Sequence, residues 1–312
     1  MSEILKHKNV WIKVLFFITI VFLSTLFFIG LWYIIDGGQS IESLKLMQLM
    51  QTFGTFLLPC FIYAAFVDNK PLCFLHLDKK IGWKGSLIVV FLMFVAMPCI
   101  NMLAWLNGKL VLPDFLADIE QIMKSQEENA RILTEQFLKA DNFAVFLYNI
   151  FLMALLPAIS EEVFFRGTLQ SFFITKNNSN QNVAIWVVAI IFSTIHFQFY
   201  GFIPRMLMGA LFGYILLWSG SLWLPILAHF TNNALAVVIY YICAENNWNT
   251  EFIDSLGTEN TLFIGIISLL LTITIIYFLK GFLLNKKNNT TPIIAPIKSD
   301  NKSNHSPVRG GK

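Results

Sequence analysis

The sequence predicts an all-α fold: a polytopic transmembrane helix bundle of about eight spans, with the N- and C-termini both cytoplasmic. Three observations carry this. First, 56% of the 312 residues are hydrophobic and 13% are charged, with a mean hydropathy of +0.64, whereas a soluble chain carries about 25% charged residues. Second, the apolar residues gather into separate runs close to the ~20 residues that cross a bilayer as a helix. Third, lysine and arginine sort by side. With the N-terminus inside, sixteen fall on the cytoplasmic side and six (Lys45, Lys109, Lys124, Arg131, Lys139 and Arg205) on the outer side, the bias expected of cytoplasmic loops.

The elements follow in order. The stretch MSEILKHKNVWIKVLFF opens on basic residues and continues into an apolar run of more than twenty residues. A signal peptide has a shorter apolar region, about 7–15 residues, and a small-residue cleavage site that this stretch lacks, so it reads as a retained first span, 11–35. Spans two and three are 46–67 and 85–106. Residues 112–141 set Phe115, Ile119, Ile122 and Met123 at three- and four-residue spacing among acids, the pattern of an amphipathic helix outside the membrane. The fourth span is 143–161, with apolar residues beyond it that can carry the helix towards Ile174. Spans 183–200, 203–219 and 221–243 are joined by short turns and form an antiparallel trio. The eighth, 261–284, closes a bundle that occupies 1–284. Residues 285–312 are Asn-, Lys-, Ser- and Pro-rich. They have too little apolar surface to fold and read as a disordered basic cytoplasmic tail.

Several functional classes are excluded at this stage. Cys60, Cys73, Cys99 and Cys243 lie far apart without a CxxC pair, so they read as packing residues. No glycine-rich phosphate loop and no basic–aromatic patch speaks for nucleic acid. The partner expected at this stage is the lipid bilayer.

Against this background the polar residues inside the spans stand out, since each costs roughly 2.5–3.5 kcal/mol at a helix centre unless it has a partner or a wet pocket. In ALLPAISEEVFFRGTLQSFF, Glu162 and Arg166 are four apart and can pair along one face, while Glu161 points about 100° away. Pro157 removes a backbone hydrogen bond one turn earlier and frees the carbonyl of Met153. This cluster reads either as a pocket or as the cytoplasmic end of the fourth span. In the fifth span His196 lies one turn after Phe192, a packing residue or a catalyst. In the seventh, His229 and Asn233 share a face, and Asn232 lies on another. Of five histidines only His196 and His229 are in spans, and both follow the glutamate helix closely, which favours a functional site. Gly209 and Gly213 give a GxxxG spacing for close helix packing, with no chemistry assigned. Arg205 reads as an interface anchor, and Pro225 as a residue that loosens the seventh helix before His229.

The order EExxxR (Glu161, Glu162, Arg166), FxxxH (Phe192, His196) and HxxxN (His229, Asn233) on successive apolar helices resembles the CPBP family of intramembrane proteases. That family includes the CAAX prenyl endopeptidases and the bacterial Abi, bacteriocin-processing and immunity relatives. The resemblance covers about 145–243. It implies a helical bundle with its active site open within the membrane towards the cytoplasm, and peptide-bond hydrolysis in a membrane-associated peptide or protein substrate. By position it implies that Glu161 with His196 activates a water, His229 with Asn233 stabilises the oxyanion, and Glu162 with Arg166 supports the glutamate helix. Members are often described as metalloproteases. No metal or other cofactor is favoured here because no HExxH helix is present, and zinc on Glu161, His196 and His229 is the alternative.

The expected function is therefore a glutamate-type intramembrane endopeptidase acting on membrane-associated substrates, in an integral multi-pass protein of a bacterial cytoplasmic membrane. The alternative is a non-catalytic membrane partner or bacteriocin-immunity protein whose polar cluster only stabilises the bundle; a complete Glu, His, His, Asn set weighs against it. A proton-coupled transporter would show matching polar helices in both halves, and the first three spans have none.

Overall fold

The computed structural model describes residues 4–174 and 180–290, and among these every regular element is helical. The principal helices are α1 (Val10–Ile35), α2 (Ile41–Val67), α3 (Trp83–Gly108), α4 (Ala117–Leu138), α5 (Phe143–Phe173), α6 (Gln181–Thr194), α7 (Phe202–Ser219), α8 (Trp223–Glu245) and α9 (Leu262–Thr290). All but α4 and α6 are long and apolar enough to cross a bilayer, seven among the described residues. The protein is an integral multi-pass membrane protein. Its outer surface agrees: Trp11, Leu15, Phe22 and Phe27 on α1, and Phe263, Leu270 and Tyr277 on α9, are large side chains left exposed. Such an apolar surface is a liability in water and ordinary against lipid.

Two boundaries together shape the site: one departs from the sequence reading, and the other takes the extension towards Ile174 that the apolar residues allow. The fifth apolar segment, expected over 183–200, is helical only over the 14 residues of α6, a rise of about 21 Å against a hydrocarbon core of about 30 Å. Hydropathy runs on through FQFYGF, but the backbone turns there: Phe197 adopts φ 52°, a left-handed conformation rare for a bulky residue, and Ser193 Oγ donates to Phe202 O at 2.7 Å. His196 therefore sits on a turn rather than within a span. Conversely, α5 does not stop at Glu161. It runs twelve residues further to Phe173, which brings Glu161 level with the histidines. Two π-helical stretches, Ile150–Leu155 and Val163–Leu169, flank the glutamates, and such wide turns concentrate at functional sites.

Cross-links at each end fix which loops share a face. Leu222 N donates to His76 O at 2.9 Å and Ser221 Oγ to Lys79 O at 2.7 Å, tying the α7–α8 turn to the loop after α2. At the other end Asn107 Nδ2 donates to Phe199 O at 2.8 Å, and Ile203 N to Asn107 Oδ1 at 2.9 Å. The α6–α7 turn therefore meets the end of α3, on the side that carries α4. Lys45, counted above as a loop charge, lies within α2 and is buried, with Nζ donating to Asn149 Oδ1 at 2.9 Å. Helix α9 continues to Thr290, past the point at which the tail is expected to begin, and 291–312 fall outside the described residues.

Candidate active site

The site is built where α5, α6, α7 and α8 meet. Small residues let the helices approach: a Cβ added to Gly209 would lie 3.3 Å from Ala189 Cα, and one added to Gly213 would lie 2.9 Å from Ile185 Cγ2. The GxxxG spacing thus packs α7 against α6. It also does more than pack, because the carbonyl of Gly209 accepts from Arg166 Nη2 at 2.9 Å.

Glu162 and Arg166 form the expected pair. Arg166 Nη1 donates to Glu162 Oε1 at 2.7 Å, with both side chains fully excluded from solvent. The guanidinium carbon lies 4.6 Å from the Phe192 ring centre and 5.4 Å from that of Phe212, so aromatic faces supply part of the solvation lost on burial. The same Glu162 oxygen holds His229, whose Nδ1 is 2.9 Å away. A carboxylate oxygen paired with arginine accepts, so Nδ1 carries the proton and Nε2 is turned away from Glu162. Phe212 stacks on the imidazole with ring centres 5.2 Å apart. His229 is thus fixed by a hydrogen bond on one edge and an aromatic ring on one face.

Glu161, one residue earlier, faces differently. Its side chain keeps 19% of its surface, and its Oε2 lies 3.9 Å from His229 Nε2. It lines a cavity of about 270 Å³ together with His196, His229 and Asn233. The structure thus gathers all four candidate residues around one space, with Glu162 and Arg166 behind it. His196 Nδ1 is 2.7 Å from Phe192 O. A carbonyl can only accept, which places the proton on Nδ1 and leaves Nε2 as an acceptor. Asn233 Nδ2 donates to Met153 O at 3.4 Å, the carbonyl that Pro157 was expected to free. The zinc alternative finds no ready-made set: among the described residues no three His, Cys, Asp or Glu side chains are placed to hold one ion.

Three further residues belong to the site although sequence reasoning passed over them. Asn232 lines the same cavity and donates to Asn233 Oδ1 at 3.2 Å, so it does not lie on a separate face. Arg205, read above as an interface anchor, also lines the cavity. Gln198 holds it, accepting from Arg205 Nη2 at 2.6 Å. An arginine at the start of an apolar helix followed by no acid is the signal that could have found it. Finally, the cavity lies towards the α6–α7 turn and hence towards the face that carries α4. The charge count puts that face outside, whereas the resemblance implies a cytoplasmic opening, so these two expectations point in opposite directions.

Comparison with known proteins adds an independent line. Residues 143–235 match the family "Type II CAAX prenyl endopeptidase Rce1-like". A protein of Bacillus subtilis (strain 168), "Uncharacterized protein YpbD", is 31% identical over 91 residues, which is 28% of this chain and 43% of that protein. No solved structure matches. The matched segment contains Glu161, Glu162, Arg166, His196, His229 and Asn233, and over that segment the chain is similar to the Rce1-like, type II CAAX prenyl endopeptidase family.

Proposed function

We propose that the protein is an intramembrane endopeptidase that hydrolyses peptide bonds of membrane-associated substrates, with Glu161 as the base that activates water. The observation that carries this reading is the convergence of Glu161, His196, His229 and Asn233 on one cavity within the family segment. In this account a water bound between the Glu161 carboxylate and His196 Nε2 attacks the scissile carbonyl as its proton passes to Glu161. His229 Nε2, 3.9 Å from Glu161, needs to close by about 1 Å to take that proton onward. Glu162 Oε1 on the opposite nitrogen stabilises the imidazolium so formed, which later hands the proton to the leaving amine. The second amide hydrogen of Asn233 stabilises the oxyanion, a contribution of about 2.7–4 kcal/mol for a well-placed donor. The fold supports this reading: α6 is short, and the turn that follows it carries His196 and leads to Arg205, both of which line the cavity.

The test is comparative proteomics of membranes and medium from cells making the wild-type chain or Glu161→Gln, with abundance matched. Loss of specific peptides or mature termini in the variant is expected and names the substrate. Identical proteomes, with a phenotype still present on deletion of the whole chain, would favour the non-catalytic alternative.

A further inference from the structure

We infer that Arg205 anchors a carboxylate of the bound peptide, within a few residues of the bond that is cut; this rests on the proteolytic reading of the cavity. The two arginines at the site are differently placed. Arg166 is neutralised by Glu162 and capped by the Gly209 carbonyl. Arg205 lines the cavity itself, and among the described residues it donates to the two oxygens of one neutral residue: Gln198 Oε1 at 2.6 Å and Gln198 O at 3.4 Å. Among the described residues no carboxylate comes within 4.0 Å of its guanidinium. Glu127 of α4 and Glu161 are the carboxylates whose charge it feels from further away. A guanidinium has five N–H donors in a planar fork suited to a carboxylate, and Gln198 engages only part of that fork.

The backbone makes room for this group. A Cβ added to Gly201 would lie 2.9 Å from Arg205 Nη2 and 3.4 Å from its Cζ. Gly201 has φ −101° and ψ 4°, a conformation open to any residue, so an added methyl would meet only the far end of the Arg205 side chain and would displace the guanidinium. The first turn of α7 adds field of the same sign. Glu161 lines the same cavity, and at about 270 Å³ the space falls near the lower end of ligand pockets, about 300–1,000 Å³. It accommodates a short stretch of peptide. The anion therefore comes either from a C-terminal α-carboxylate near the scissile bond or from an Asp or Glu side chain there.

The experiment measures binding on the purified full-length chain in lipid nanodiscs, with three fluorescent tetrapeptides that share apolar side chains. One ends in a free acid, one in an amide, and one in an amide with glutamate as its last residue. At least one anionic peptide is expected to bind about tenfold more tightly than the neutral amide. Arg205→Gln should abolish that preference, read within each variant as the ratio of anionic to neutral binding, Arg205→Lys should retain part of it, and Gly201→Ala should reduce it. Whichever anionic peptide is preferred identifies the source of the carboxylate. Absence of any preference, or a preference that survives Arg205→Gln, overturns the proposal. If Arg205→Gln does not fold, Gly201→Ala decides, and an unchanged preference in that variant overturns it. Because binding is read without turnover, a preference in a protein that cleaves nothing would sink the protease reading and leave the anion site standing. Cleavage without a preference would do the reverse.

Discussion

Glu161 and Glu162 are neighbours on one helix, yet they belong to two different regions. Glu162 has no accessible side-chain surface and is paired with Arg166, while Glu161 keeps 19% exposure and faces a cavity with two histidines and an asparagine. A single step of about 100° around the helix separates a buried, paired carboxylate from one that lines the cavity. The support is not a stability device in its own right, because burying two charges costs several kcal/mol per ion, which mutual attraction only offsets. Glu162 Oε2 and Arg166 Nε even lack partners among the described residues. What the pair achieves is orientation: the Glu162 oxygen that binds Arg166 also holds His229 Nδ1. The comparison teaches that the first glutamate is defined by what it can reach and the second by what it holds still.

The largest effect that can break this division is on catalysis. His196→Ala removes a cavity group that, among the described residues, is hydrogen-bonded to the Phe192 carbonyl, so cleavage should fall by about 10²–10⁴ with the melting midpoint nearly unchanged. A large loss of stability instead would move His196 to the supporting region. Next comes Arg166→Met, which leaves Glu162 buried without its counter-charge and should destabilise the fold by about 3–5 kcal/mol, read by thermal unfolding in detergent. The double variant Glu162→Leu with Arg166→Leu sharpens the point: it should regain much of that stability while remaining inactive, since His229 loses its orienting oxygen. Smaller still is Gly209→Val. Overpacking where Gly209 meets Ala189 should cost about 1–3 kcal/mol and loosen Arg166 from its carbonyl, with no direct contact to the cavity.

A fourth prediction costs the fold almost nothing and concerns sidedness. Cys73 is a free exposed thiol in the loop after α2, and Ser125 is exposed on α4. In Ser125→Cys, a membrane-impermeant maleimide applied to intact cells should label position 125, with Cys73 reacting only after permeabilisation. Labelling of Cys73 in intact cells would invert the bundle and place the cavity face in the cytoplasm.

Much of the architecture was legible because hydropathy reports spans directly. The Glu162–Arg166 pair was legible from its four-residue spacing, and the Met153 carbonyl from Pro157. What escaped had physical reasons. Hydropathy does not distinguish an apolar helix from an apolar turn, so α6 and the turn at Phe197 merged into one span. Hydropathy also marks charged residues as a helix end, although α5 continues through Glu161, Glu162 and Arg166 to Phe173. Asn232 and Asn233 are one step apart on the regular α-helix α8, yet both line the same cavity, so a 100° step does not by itself remove a residue from the site. The direction of the Arg205 side chain depends on Gln198 and Gly201, and only the folded turn brings those three together.

The central claim is tested most directly by measuring cleavage per folded molecule, alongside the melting midpoint, for Glu161→Gln and Glu162→Gln on a substrate recovered from the proteomic comparison. The account predicts that Glu161→Gln abolishes cleavage at an unchanged midpoint, while Glu162→Gln melts markedly lower. Retained cleavage in Glu161→Gln, or a loss that only follows a matching fall in its midpoint, would contradict it.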